Sequence, residues 1–167
     1  MKTETVLFLI VVVAIAFYAS YIQEPGAPEV FVENKTVSNY STMFFDYEIV
    51  RYPSNAEIKN IDSEGIILGF VTDPWNLNFG VNPGNGSYST RTIKLTNKKD
   101  KNVKIILKSY GNISDKIVFG KNDLVLAPNE SVSIDIVFQS KNYSAGNYSG
   151  EVDLIAKKPI YNFLPIS

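Results

Sequence analysis

Residues 6–19 read VLFLIVVVAIAFYA, fourteen consecutive residues without a charge, and no comparable run follows. A segment apolar on every face cannot be one flank of a small soluble domain, so it divides the chain in two. Extended to Ile22 it counts about 17 residues from Val6, the short end for a helix that crosses a bilayer. Tyr18 and Tyr21 fall where an outer aromatic belt sits, and Gln23-Glu24-Pro25-Gly26 ends the helix. Lys2 precedes the run and no basic cluster follows it, which keeps the N-terminus cytoplasmic and sends the rest outside. The expectation is a retained anchor over residues 1–24 in the cell membrane, with an extracellular ectodomain. A cleaved signal peptide is the competing reading. Its small-residue rule is met only at Ala14-Ile15-Ala16, deep in the run, whereas cleavage after Ala19 or Ser20 leaves Phe17 or Tyr18 at the −3 position.

The remainder has room for one β domain of about 140 residues, enough for a core without staples. From Glu64 onward turn signals recur every 8–12 residues between period-2 stretches. Leu77, Phe79 and Val81 alternate with Asn78 and Gly80, and Pro83-Gly84-Asn85-Gly86 is a turn. Thr90–Asn97, Val103–Lys108 and Val132–Gln139 alternate likewise, Asn97–Asn102 (NKKDKN) is a charged hairpin loop, and Val152 and Leu154 share a face. Ile66–Thr72 (IILGFVT) reads as a further strand. The pattern predicts an all-β, antiparallel β-sandwich over residues 64–167, with solvated outer faces. Residues 25–63 form a membrane-proximal extended or β segment: either a strand pair laid on the sandwich or a stalk, with Pro53-Ser54-Asn55 breaking its β pattern. The apolar tail Pro159–Ser167 is expected to pack back on the domain.

Seven Asn-x-Ser/Thr triplets, at Asn34, Asn39, Asn85, Asn112, Asn129, Asn142 and Asn147, all follow the anchor. Chance gives about two for this composition, so the excess points to N-linked glycans on an exported surface, against the plainer reading that Asn, Gly and Ser are what turns are made of.

The sequence has neither Cys nor His. That removes disulfides, thiolate nucleophiles and the usual general base and metal ligand, and no P-loop or nucleophile-elbow motif is present. With a net charge of −1 and scattered lysines, nothing selects nucleic acid. Carboxylate pairs at Asp46/Glu48 and Asp62/Glu64, and Asp73 beside Trp75, read as solvated strand faces and turn caps. Trp75 and Tyr88 are candidates for stacking on a sugar ring, with Trp75 as a lid on the core the simpler alternative. No enzyme, cofactor or metal is expected.

Asn76-Leu77-Asn78-Phe79-Gly80-Val81-Asn82-Pro83-Gly84, then Ile93-Lys94-Leu95-Thr96-Asn97, Leu126-Ala127-Pro128-Asn129-Glu130-Ser131 and Gly146-Asn147-Tyr148-Ser149-Gly150-Glu151-Val152 resemble the strands of immunoglobulin-like domains of the Hydin/major-sperm-protein type. Membrane-anchored archaeal surface proteins with such an ectodomain look most similar. The resemblance covers about residues 66–158 and implies a domain that binds, spaces or scaffolds rather than one that catalyses. It leads to the expectation of a scaffold that holds an envelope partner, a surface layer or a membrane complex. A subunit of a surface filament that pairs with itself, and a carbohydrate-binding module, are the alternatives. In the residues themselves, Gly80 and Gly84 allow positive φ or close approach, Asn97 can satisfy loop backbone, and Tyr148 can stack on the core while its hydroxyl caps a loop.

Overall fold

The computed structural model describes residues 3–60, 76–84 and 86–166. The expected strand over Ile66–Thr72, the carboxylates Asp62, Glu64 and Asp73, and the residues Trp75 and Asn85 lie outside them. One helix, α1 (Thr3–Ile22), stops where Gln23-Glu24-Pro25-Gly26 was expected to stop it, and is long and apolar enough to cross a membrane. Among the described residues nine strands follow: β1 (Thr36–Ser41), β2 (Phe45–Lys59), β3 (Leu77–Pro83), β4 (Tyr88–Thr96), β5 (Val103–Gly111), β6 (Ile117–Phe119), β7 (Leu124–Leu126), β8 (Ser131–Gln139) and β9 (Gly146–Pro159).

The strands make two sheets. One runs β1-β2-β9-β5-β7, with β3 also on β2; the other runs β4-β8-β6. Between them lies a shared core to which both contribute. Tyr52, Ile58, Phe79, Ile105 and Leu154 come from the larger sheet, and Ile134, Ile136 and Phe138 from the smaller. Phe79 and Phe138 stack across the gap at 5.8 Å. The alternation in Val132–Gln139 and Val103–Leu107 is therefore what the sequence led one to expect, apolar side inward.

Three features differ from expectation. First, β2 and β3 pair in parallel, from Ser54↔Leu77 to Lys59↔Pro83, within an otherwise antiparallel arrangement. Second, Pro53 does not break β2, which pairs with β9 from Phe45↔Pro159 to Ile58↔Gly146. On its other edge β2 pairs with β1 only up to Arg51 and with β3 only from Ser54. Pro53 falls in that gap, where no neighbouring strand needs its missing N–H. Within residues 25–60, β1 and β2 form a strand pair built into the larger sheet.

Third, the outer face of the larger sheet is solvated only in part, with Asn55, Lys59, Asn147 and Ser149 exposed and the stretch nearer α1 covered. Phe45, Tyr47, Ile49, Ile106 and Ile155 form a second buried cluster there, packed against Tyr21 and Phe44. Residues 23–35, without regular structure, cross this face as a strap. The tail packs back as expected through its backbone, the Ile160 N–H donating to the Phe44 carbonyl at 2.9 Å, yet leaves Tyr161 and Phe163 pointing outward.

Candidate functional site

The strap creates the chemically most unusual place in the molecule. On the outer face of the larger sheet, Arg51 of β2, Asp153 of β9 and Lys108 of β5 lie in one cross-strand row, and Glu151 of β9 lies opposite Tyr110 of β5 in the next. Glu151 and Asp153 are 0% and 2% exposed. The Val32 N–H donates to Glu151 Oε2 at 2.7 Å. Arg51 Nε stands 3.7 Å from Glu151 Oε1 and 4.0 Å from Asp153 Oδ2, close enough for charge attraction but too far for a hydrogen bond. Glu151 Oε1 and Asp153 Oδ1 have no hydrogen-bond partner among the described residues.

Two carboxyls buried beside one guanidinium cannot both ionise cheaply. Burial pushes the Asp153 carboxyl up to about 7, the adjacent Glu151 adds to the rise, and Arg51 and Lys108 oppose it. Burial beside Glu151 therefore drives the Asp153 carboxyl towards its protonated form. Lys108 is shifted upward by its bond to Glu24 Oε2 at 2.9 Å, a contact that ties the strap's first turn to β5. The Tyr47 hydroxyl donates to the Gln23 carbonyl at 2.7 Å, and burial raises its pKa to about 12. Above them the Lys157 ammonium, lowered by burial, sits 4.0 Å from the centre of the Phe45 ring. The cluster pins a crossing segment to a sheet, with Glu151 and Asp153 buried and Arg51, Lys108 and Glu24 partly exposed around them.

Nothing in the spelling Gly150-Glu151-Val152-Asp153 distinguishes these carboxylates from a solvated strand face, and the sequence did not single them out. The available signal lay in the neighbours: Phe44-Phe45 with Tyr47 and Ile49, and Ile105-Ile106-Leu107, are apolar on both sides of the strand, as in a sheet covered on both faces.

A second feature is open. Among the described residues a cleft of about 520 Å³ lies between the two sheets at the β4 end, lined from both. Leu154 and Ala156 floor it, Asp46 and Glu48 line one side, and Asn97 and Lys98 the other. Asp46 is occupied there by the Ser41 hydroxyl at 2.9 Å and Lys158 Nζ at 3.6 Å, so the Asp46/Glu48 pair is a solvated face with a local cation.

The expected glycan acceptors are scattered rather than gathered. Asn34, Asn39, Asn112, Asn129, Asn142 and Asn147 are all exposed. Asn39 is on β1 at the rim of the cleft and Asn147 begins β9, whereas Asn129 and Asn142 occupy turns at φ of 63° and 64°. Asn112 Oδ1 accepts from the Ser149 N–H at 2.6 Å. Tyr88 is 74% exposed at the start of β4 and stacks on no ring among the described residues. The chain matches no family model and no curated protein.

Proposed function

We propose that this chain is a single-pass scaffold of the cell surface, of the kind that archaeal envelopes carry. In this reading α1 anchors it with its N-terminus in the cytoplasm. The β-sandwich, immunoglobulin-like in its strand motifs, stands outside, carries N-linked glycans on its exposed Asn residues and grips an envelope partner without catalysing a reaction. The observation that carries the reading is the junction between helix and domain. A helix exposed along its whole apolar length is fastened to the larger sheet by Tyr47–Gln23, Lys108–Glu24 and Glu151–Val32. A segment destined for removal needs no such fastening. The cleft and the outer edge of β4, a nine-residue strand with no strand paired beyond it among the described residues, are the surfaces this reading offers for a partner.

Filament assembly is the second reading, favoured by the same uncovered helix, whose apolar sides could pack against copies of themselves. Crosslinking in intact cells followed by mass spectrometry separates the two. Peptides joining residues 76–150 to a different envelope protein support the scaffold, and exclusive self-pairing supports the filament. The same spectra read the glycans, as mass added to peptides containing Asn112, Asn142 or Asn147. Recovery of the chain in the cytosol with bare Asn residues overturns both.

A further inference from the structure

The end of the domain nearest α1 has a composition unlike the opposite end. Strand register brings the β1–β2 loop, the β4–β5 loop and the segment after β9 together there, because Phe45 pairs with Pro159 and Lys104 with Lys157. Lys101 Nζ donates to the Ile160 carbonyl at 3.0 Å, and the Tyr21 hydroxyl to the Pro165 carbonyl at 3.2 Å. Apolar side chains point outward from this end: Met43 is 59% exposed and Phe163 80%, and Tyr161 stacks on Phe163 at 5.6 Å. They continue directly into the exposed Tyr18 and Ile22 of α1. Around them the β4–β5 loop presents Lys98, Lys99 and Lys101 against a single Asp100.

Height along the helix turns this patch into a position. Phe44 packs on Phe17, ring centres 5.8 Å apart, and Phe17 lies five residues before the helix end. At about 1.5 Å per residue that is roughly 7.5 Å below Ile22. A hydrocarbon core of about 30 Å needs about 20 residues of helix; α1 has 20 among the described residues, and its first turn already carries the charge of Glu4. Were water to reach the level of Phe17, the stretch left below it would be about 21 Å long, well short of the core. The helix cannot span with the domain held clear of the bilayer.

We infer that the domain stands partly sunk in the outer lipid interface. Met43–Phe44 and Tyr161–Phe163 enter the boundary between headgroups and acyl chains, and Lys98, Lys99 and Lys101 meet the lipid phosphates. The inference rests on α1 being a membrane span. It gives the anchor a fixed height and orientation, where a span followed by a free linker has neither.

The absence of cysteine makes the test direct, since any introduced thiol is unique. The full chain is reconstituted into vesicles of phosphatidylcholine with a minor fraction of phosphatidylglycerol. Spin labels are placed singly at Met43→Cys, Phe163→Cys, Val12→Cys and Lys141→Cys. Relaxation by oxygen, which partitions into lipid, is compared with relaxation by a water-soluble nickel chelate. The expected ratio of oxygen to nickel relaxation at positions 43 and 163 is at least about threefold that at the exposed Lys141 position, and approaches the Val12 value. Values at 43 and 163 equal to that at 141, with position 12 in hydrocarbon, overturn the inference and leave the anchor intact. A water-like signal at position 12 overturns the anchor and the inference with it.

Discussion

Replacing Asp153 with Asn should stabilise the protein at neutral pH and do little in acid. The side chain is 2% exposed, and its carboxyl is raised from an ordinary 3.8 to about 7 by burial first and by Glu151 second. Between those two values the folded state keeps a proton on Asp153 that the unfolded state gives up. The folded state then binds more protons, so stability falls as pH rises through this window and levels off above about pH 7. The full interval corresponds to at most about 4 kcal/mol, and the half-exposed Arg51 beside the carboxylate reduces it. Asn keeps the shape and never ionises. The measurement is urea unfolding of the full chain and of Asp153→Asn in a non-ionic detergent, at about pH 4, 6 and 8. Subtracting one curve from the other removes the contributions of the other carboxylates. The variant should gain on the parent by roughly 1–4 kcal/mol between about pH 4 and pH 8. A gap that does not move with pH refutes the raised Asp153 carboxyl. A gap of opposite trend means that attraction to Arg51 outweighs burial, and refutes the stated balance.

Two further effects follow from single residues. Asn97 is buried, and its amide donates to the carbonyls of Lys101, Leu126 and Ala127 at 2.9–3.1 Å; Asn97→Ala strands these acceptors and should cost about 2–3 kcal/mol by urea midpoint, with Asn97→Asp costing no less because a carboxylate cannot donate. A Cβ on Gly150 would collide with the Tyr110 carbonyl where β9 crosses Gly111 of β5; Gly150→Ala should cost about 3 kcal/mol, read as a lowered thermal midpoint, whereas Gly146→Ala meets open space and any cost there comes from its φ of 157° alone.

What the sequence disclosed were features encoded within a few residues of themselves. Asn97 is such a case in its local half: a polar residue closing an alternating strand before a charged loop binds that loop's backbone at Lys99 and Lys101, while its bonds to Leu126 and Ala127 belong to the fold. Tyr148 behaves as its place after Gly146-Asn147 implied, its ring 6.3 Å from Phe138 and its hydroxyl donating to the Ser144 carbonyl at 2.6 Å. Gly80 has the positive φ, 70°, that its place between Phe79 and Val81 allowed for, and a Cβ on Gly84 would come within 3.0 Å of Asn60 Oδ1. Illegible were the features that depend on what lies across a sheet. Whether Glu151 and Asp153 meet water is decided by residues 23–35, more than a hundred positions away. Pro53 looked like a breaker because its spelling does not reveal that β1 ends and β3 begins on either side of it. Sequons are legible as spelling, but their exposure, and the dispersal of the Asn residues over both ends of the domain, belong to the fold.

The same long-range contacts decide how the domain would carry a load. Residues 23–35 include Pro25, Gly26 and Pro28, the composition of a hinge, yet the strap is held at Gln23 by Tyr47, at Glu24 by Lys108 and at Val32 by Glu151. No free length is left between helix and sheet. Tension on α1 therefore passes to β2, β5 and β9 together. β2 lies antiparallel to β9 over fourteen residue pairs, with its hydrogen bonds perpendicular to the strands. Pulling along β2 loads those bonds in shear, all at once, rather than opening them one by one from an end. Tyr47→Phe removes one attachment and leaves two, so the helix should stay docked; Tyr47→Phe with Glu151→Gln and Lys108→Gln weakens all three. Amide exchange at residues 23–35 of the full chain in detergent micelles distinguishes the cases: protection at Val32 should persist in the single variant and be lost in the triple one. Loss of protection already in the single variant would mean that the strap is held at one point, and that the helix and the sheet do not move as one body.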